Sequence, residues 1–476
     1  MKKSLQLHPD RLFPEGDVSR NIARRLYLEI KDLPIISPHG HTDPSWFASN
    51  ESFQNAQALF IAPDHYLVRM LYSQGIHLAD LGIATKHDDK VASPREAWRL
   101  FARNFYLFRG TPTGLWLNHV FSEIFGLGFL LDANTADDYY DTINQTLQSD
   151  AFRPRALYDR FNIEFLATTE GPTDSLEHHE TIQNSDWNGR VVTTYRPDAV
   201  IDPEHKGFHA SLSRFAELSG EDVLNWHGYL NAHRKRRADF IAAGATASDH
   251  GHPSAATANL SEAECIELFA KIQKPNIDPL NAELFRAQML TEMARMSVDD
   301  GLVMQIHPGS FRNHNNWLFD NYGRDRGADL PYRVEYTRAL KPLLDAVGNE
   351  PELSIILFTL DESNYSRELA PLAGHYPCLK LGPAWWFHDS PEGMMRYREQ
   401  TTETAGFYNT VGFNDDTRAF LSIPARHDVA RRVDCAYLGR LVAEHRLTED
   451  DANEVAKDLT YNLAKKAYRL GDDCGG

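Results

Sequence analysis

The sequence predicts an α/β protein built as a (β/α)8 TIM barrel. Short apolar runs of strand length recur eight times along the 476 residues. Most are continuous rather than alternating, as in strands covered on both faces, and the stretches between them are long enough to hold helices.

The runs are LPIISPH (33 to 39), NIEFLATT (162 to 169), RVVTTYR (190 to 196), GATASDH (244 to 250), LVMQIHPG (302 to 309), LSIILFTL (353 to 360), LKLGPAWW (379 to 386) and YNTVGFND (408 to 415). Helical grammar separates several of them. Ser261 and Glu264 form a capping box entering ECIELFAKI, and Ala282 to Met296 places Leu284, Ala287, Met289, Leu290 and Met293 near helical spacing. One gap is far longer than an ordinary connection. From Phe53 to Phe161 the apolar and aromatic residues have mixed helical spacing, which predicts a mostly helical insertion at 44–161 in a barrel domain formed by 1–43 and 162–476.

Composition narrows the function. A hydrophobic fraction of 42% is that of a soluble globular protein. The opening MKKSLQLHPDRLFPEG has no continuous apolar core, and no later run approaches a membrane span, so a cytoplasmic protein is expected. Cys265, Cys378, Cys435 and Cys474 lie far apart, as reduced thiols do, and the closing GDDCGG is expected to fray. A formal charge of -18 argues against nucleic acid or an acidic membrane as partner, while leaving room for a small anion where arginines cluster.

In a barrel of this kind the chemistry sits at the carboxyl ends of the strands. The first run hands over to His39 and His41, two imidazoles one residue apart that can grip one metal ion. With 21 His in the chain, an isolated His-x-His is more often a pair of turn histidines, and a second one occurs at His250 and His252. Position favours the first. Other strand ends contribute Arg196, His307, and Asp416 with Arg418, and two histidines with a carboxylate suit a divalent ion such as Zn²⁺. His307 reads equally as a further ligand or substrate contact and as a hydrogen-bonded strand-end histidine. Asp416 could cap a helix starting near Thr417, Asp249 and His250 read first as a capping pair, and Trp385 and Trp386 as packing with one forming a pocket wall. Arg196 precedes Pro197, which favours an extended backbone and a guanidinium projecting into the mouth; a surface ion pair is the competing reading.

Together these segments resemble the uronate isomerases (glucuronate isomerase) of the amidohydrolase superfamily. The resemblance runs through PHGH (38 to 41), DHYLVR (64 to 69), TDSLEHH (173 to 179), RPD (196 to 198), SDH (248 to 250), QIHPGSFRNHN (305 to 315), AWWFHD (384 to 389), DDTRAFLS (415 to 422) and RHD (426 to 428). It implies a barrel of the metal-dependent hydrolase type and interconversion of D-glucuronate with D-fructuronate and of D-galacturonate with D-tagaturonate. It further implies His39, His41 and Asp416 as ligands of one divalent ion, expected to be Zn²⁺, with His307 as a fourth candidate. Arg418, His65 and Tyr66 are implied around the reacting carbons, Arg196 as the carboxylate anchor, and Arg312, Trp385 and Trp386 as substrate contacts. The expected partner is a small hexuronate, with no nucleic acid or membrane and with room for a homo-oligomer. One position departs from the pattern: Gly171, in TTEGPTD (168 to 174), stands where an acidic residue is expected.

The chemistry expected is an aldose to ketose conversion through an enediol, with Asp416 as base, Tyr66 or His65 moving the oxygen protons, and Arg418 stabilising charge on oxygen. A metal-dependent hydrolase or deaminase is the alternative, because the same barrel and ligands activate water. A silent binding protein is the third reading. No Gly-rich dinucleotide fingerprint follows a strand, which argues against nicotinamide chemistry.

Overall fold

A computed structural model describes residues 2–274 and 276–471; Cys474 and all but the first residue of the closing GDDCGG lie outside the described residues. The chain alternates parallel strands with helices. In chain order the strands are β1 (Ile35–Ser37), β2 (Ile163–Ala167), β3 (Val191–Val192), β4 (Ala247–His250), β5 (Val303–Ile306), β6 (Ser310–Phe311), β7 (Leu330–Pro331), β8 (Ile355–Leu357) and β9 (Leu379–Leu381).

The parallel strands follow one another in the sheet as they do in the chain. β1 pairs β2, β2 pairs β3, and a second ladder runs β4, β5, β8, β9. Tyr195 joins the two by bridging Glu170 on one side and Ser248 on the other. After β9, the segment around Thr410 adds alongside Leu381, through Leu381 N to Asn409 O at 2.8 Å and Val411 N to Leu381 O at 3.1 Å. This is the strand succession of a (β/α)8 barrel. The eighth position differs from expectation in forming only this bridge. Gly412 explains it: its φ of +76° leaves the pleat, and a Cβ there would meet Leu459 O at 2.6 Å. Back at the first strand, His41 N donates to Thr417 O at 3.0 Å.

Inward side chains from successive strands make one core: Ile36, Phe165, Val192, Ala247, Val303 and Ile356 pack together with Val411. Tyr468 and Leu470, from the end of the described chain, belong to the same cluster. The short antiparallel pair β6–β7 was not expected; it folds the long connection after β5 over the carboxyl end of the sheet, with Tyr332 N donating to Gly309 O at 3.0 Å.

Between β1 and β2 the chain is helical, with helices at Pro44–Ser49, His65–Tyr72, Pro94–Arg103, Pro112–His119, Ala136–Leu147 and Pro154–Arg160. Four of the six open on proline, whose fixed φ suits a first helical position. Caps reinforce them: Ser93 and Glu96 form a capping box, and Asp43 accepts from Ser45 N at 2.9 Å. Phe47, Phe60, Trp98, Phe101 and Phe121 form the core here, continuous with Ile35 and Ile163.

Elsewhere the capping box of Ser261 opens the helix Glu262–Ile272, and the next helix spans Pro279–Asp300. Of the residues near helical spacing in it, Leu284 is exposed, and Phe285 beside it is buried. The helix Asp17–Ile30 lies against Ile423–Ala443 at Gly439, where a Cβ would come within 2.8 Å of Ser19 O. Among the described residues no helix is long and apolar enough to cross a membrane.

Candidate active site and metal centre

A cavity of about 690 Å³ opens at the carboxyl ends of the strands. It is lined by His39, His41, His65, Tyr66, Arg196, His307, Arg312, Trp385, Trp386, Asp416 and Arg418, the residues that the resemblance implies, whereas Asp249, His250 and His252 are not among its lining.

The PHGH turn after β1 is held from both sides. Thr169 Oγ1 donates to Gly40 O at 2.9 Å, and His41 N donates to Thr417 O. Asp416 occupies the left-handed region at φ +38°, a conformation that costs energy and is upheld by its surroundings. Its neighbour in chain, Thr417, turns back to accept from Ala419 N at 3.0 Å, and Asp416 caps no helix. Asp416 Oδ1 lies 3.2 Å from His41 Nε2 and 3.6 Å from His39 Nε2, while Trp385 Nε1 donates to Oδ2. One donor atom from each of His39, His41 and Asp416 lies within 4.8 Å of the others. Asp416 Oδ1 has no aligned hydrogen-bond donor, so a carboxylate oxygen with spare capacity sits beside two ring nitrogens. That donor set fits a divalent cation. Desolvation opposes ionisation of Asp416, yet His39, His41 and the Trp385 indole hold the carboxyl far below its ordinary range. Desolvation likewise lowers His41, which favours the neutral ring a ligand must be.

His307 stands beside this cluster. Its ring centroid is 6.5 Å from His39, and its Nε2 lies 2.8 Å from Asp249 Oδ1. Asp249 and His250 are therefore no capping pair. They belong to β4, and Asp249 is fully buried with its charge facing His307 and, at 3.4 Å, Arg196 Nη1. Desolvation raises the Asp249 carboxyl, but the fields of His307, His39 and Arg196 outweigh it and keep it well below the usual range. In the sequence Asp249 resembles a cap, because an aspartate before a loop so often caps.

Arg196 is anchored rather than free: its Nε donates to Asp198 Oδ2 at 2.9 Å, and its backbone N donates to Glu170 O at 2.9 Å. Gly171, where an acidic residue was expected, lines the cavity and donates its N–H to Asp174 Oδ2 at 2.7 Å. The neighbouring Glu170 hydrogen-bonds Thr168 Oγ1 at 2.9 Å and Thr193 Oγ1; burial pushes its carboxyl up to about 7.

The helical stretch after β1 contributes His65 and Tyr66. Both sit in the first turn of His65–Tyr72, where Asp64 caps the N–H groups of Tyr66 and Leu67. Their rings stack with centroids 4.7 Å apart. Desolvation, then the charge of Arg418, brings His65 down to about 3. The Tyr66 hydroxyl donates to Asp389 Oδ2 at 2.9 Å, and burial followed by that carboxylate raises the phenol well above its ordinary value. Asp389 and Arg426 were missed from the sequence; the AWWFHD and RHD motifs contain them, but only the fold brings them together at 2.8 Å. On the outer wall Arg418 pairs with Asp325 at 3.1 Å, and Arg312 pairs with Asp329 at 2.8 Å while lying 5.2 Å over the Trp386 ring. Trp385 is buried and packs on Phe358, and Trp386, at φ +49°, forms part of the wall.

Known proteins resemble this arrangement over the whole chain. The sequence model of the glucuronate isomerase family matches residues 17–468. A uronate isomerase of Phenylobacterium zucineum is 69% identical over 472 residues, covering 99% of this chain and 98% of that one. The crystal structure of glucuronate isomerase from Caulobacter crescentus superposes with a TM-score of 0.98 at 66% identity, covering 99% of this chain and 98% of that one. A uronate isomerase from Thermotoga maritima gives a TM-score of 0.90 at 26% identity, over 97% and 99% of the two chains. With strand ends, cavity and sequence in agreement from one end to the other, the chain belongs to the glucuronate isomerase family and is a uronate isomerase, an enzyme that converts aldose to ketose.

Proposed function

We propose that the cavity binds the open-chain hexuronate with its carboxylate toward Arg196 and its aldehyde end toward Asp416, interconverting D-glucuronate with D-fructuronate and D-galacturonate with D-tagaturonate. The observation that carries this reading is the convergence, in one cavity, of a cation-binding triad, a fixed arginine and a tyrosine–histidine pair.

His39, His41 and Asp416 would hold the metal, and two imidazoles with one carboxylate favour Zn²⁺. Bound there, it supplies a fixed positive charge that orients and polarises the sugar oxygens. The protein's own groups then move protons. Asp416 takes the hydrogen from carbon 2 as a proton and returns it to carbon 1, leaving an enediol in between. A carboxyl held below its ordinary range is ionised and so free to accept that proton. Arg418 stabilises charge developing on oxygen. The accompanying exchange of oxygen protons falls to Tyr66, set by Asp389, or to His307, set by Asp249 in the manner of a base held by its carboxylate. His65, neutral at ordinary pH, offers a hydrogen bond without a charge. Arg312, Trp385 and Trp386 close the wall around the sugar.

We further read 44–161 as an insertion into a barrel domain of 1–43 and 162–476; what supports it is that its helices present His65 and Tyr66 to the cavity. Cytoplasmic action fits the buried, unpaired Cys265, Cys378 and Cys435.

Incubation with D-glucuronate in deuterated water tests the reaction. Ketose carrying solvent deuterium at carbon 1 supports proton transfer through a base; complete retention of the original hydrogen together with wild-type turnover in Asp416→Asn argues for a direct hydride shift and removes Asp416 from its role. Metal analysis of the purified enzyme tests Zn²⁺.

A further inference from the structure

Below the triad, three buried side chains carry a donor and acceptor problem that the reaction does not use. Gln305 Nε2 lies 3.2 Å from His39 Nδ1, the Tyr468 hydroxyl donates to Gln305 Oε1 at 2.9 Å, and Asn414 Nδ2 donates to the Tyr468 oxygen at 3.4 Å. Gln305 and Tyr468 are fully buried and Asn414 nearly so, so these groups satisfy one another.

A neutral imidazole has one nitrogen that donates and one that accepts. Because Gln305 occupies Nδ1, the nitrogen left facing Asp416 is Nε2. With the amide NH2 toward Nδ1, as here, Nδ1 accepts and Nε2 carries the hydrogen toward the carboxylate. A metal ion needs the opposite tautomer, with a lone pair on Nε2 and the hydrogen on Nδ1, and Nδ1–H then needs an acceptor. A half-turn of the Gln305 amide supplies one. Oε1 then accepts from Nδ1–H and Nε2 donates to the Tyr468 oxygen, while the Tyr468 hydroxyl hydrogen turns to the Asn414 amide oxygen after a like half-turn. Amide oxygen and nitrogen have nearly the same shape, so neither turn disturbs the packing.

We propose that Gln305 is a positioning residue for the cation: with its amide turned, Oε1 accepts from His39 Nδ1–H and leaves the Nε2 lone pair for the ion, while Tyr468 and Asn414 keep the turned amide hydrogen-bonded. The inference rests on reading His39, His41 and Asp416 as the ligand set. Zn²⁺ affinity, measured by competition with a chromophoric chelator, and ¹⁵N chemical shifts of the His39 ring with and without Zn²⁺ test it. Gln305→Leu should bind Zn²⁺ about 10- to 100-fold more weakly, the range for loss of a group that supports a ligand. Gln305→Glu, which can only accept once ionised, should restore the affinity to wild type or beyond. His39 Nδ1 should carry the hydrogen in the Zn²⁺-loaded wild-type enzyme. Wild-type affinity in a folded Gln305→Leu, or an unprotonated Nδ1 in the loaded enzyme, overturns the proposal. Should Gln305→Leu not fold, Gln305→Glu decides: a Zn²⁺ affinity about 10-fold or more below wild type overturns the proposal. Unchanged Zn²⁺ binding in His39→Ala would instead show that the ligand set itself is wrong.

Discussion

The hydroxyl of Tyr66 donates to Asp389 Oδ2 across 2.9 Å, and Arg426 Nη1 donates to the same oxygen at 2.8 Å. Arg426 is buried, with its guanidinium 3.6 Å from the centre of the Trp116 ring, and its Nη1 also reaches Asp415 O at 3.4 Å. One buried ion pair thus ties the phenol, which comes from the helical stretch after β1, to the backbone that carries Asp416.

Asp389→Asn should keep the size of the side chain but weaken a charge-assisted bond worth about 1.5–3 kcal/mol, so kcat should fall about 10- to 100-fold. If Asp389 only positions Tyr66, KM changes little and Tyr66→Phe adds little further loss on top of Asp389→Asn. Full additivity of the two in a double-mutant cycle would show that they act separately.

Asp416→Asn should nearly abolish turnover, by about 10³-fold or more, and lower the metal content of the purified enzyme. Folding should survive, because asparagine tolerates positive φ as well as aspartate does. Steady-state rates, metal analysis and a thermal melt check this; wild-type rates would remove the assigned role.

Arg196→Met should raise KM for uronates by about 10- to 100-fold, the worth of a charge-assisted contact to the substrate carboxylate. It should also lower the melting temperature, since Asp198 and the fully buried Asp249 lose a positive neighbour. Arg196→Lys keeps the charge without the planar fork and should fall between the two. An unchanged KM in the methionine variant excludes Arg196 as the anchor.

Glu170 makes the stability of the protein pH-dependent. Below its ordinary value of 4.5 the carboxyl is protonated in folded and unfolded chains alike; between 4.5 and about 7 only the unfolded chain loses the proton. Its contribution therefore makes stability fall as pH rises through that window and levels off above it, by up to about 3 kcal/mol. Glu170→Gln should be more stable than wild type at pH 8 and equal to it near pH 4. Chemical denaturation at the two pH values measures the difference, and an equal gap at both would show that burial does not raise this carboxyl.

The strand succession was legible because strands buried on both faces need unbroken apolar runs, and such runs end visibly at Pro38, Arg196 and Asp249. Less legible was the last barrel position, where Gly412 bends the chain away to fit against Leu459. The β6–β7 pair escaped notice because two residues per strand leave no periodicity to read. Among the candidate site residues, His39, His41 and Asp416 could be paired across the chain only because strand order predicts neighbours in a barrel. Asp249 could not, since its local sequence reads as a cap until His307 is placed 2.8 Å away.

The sequence by itself determined which segments become strands, which helices are capped, and which residue types stand at the strand ends, because these depend on local propensity and hydrophobic period. Tertiary structure alone decided which of those residues meet. Gln305 beneath His39, Tyr468 beneath Gln305, and Arg426 against Asp389 are contacts between side chains 266, 163 and 37 positions apart, and their donor and acceptor roles exist only where burial leaves them no water to bind.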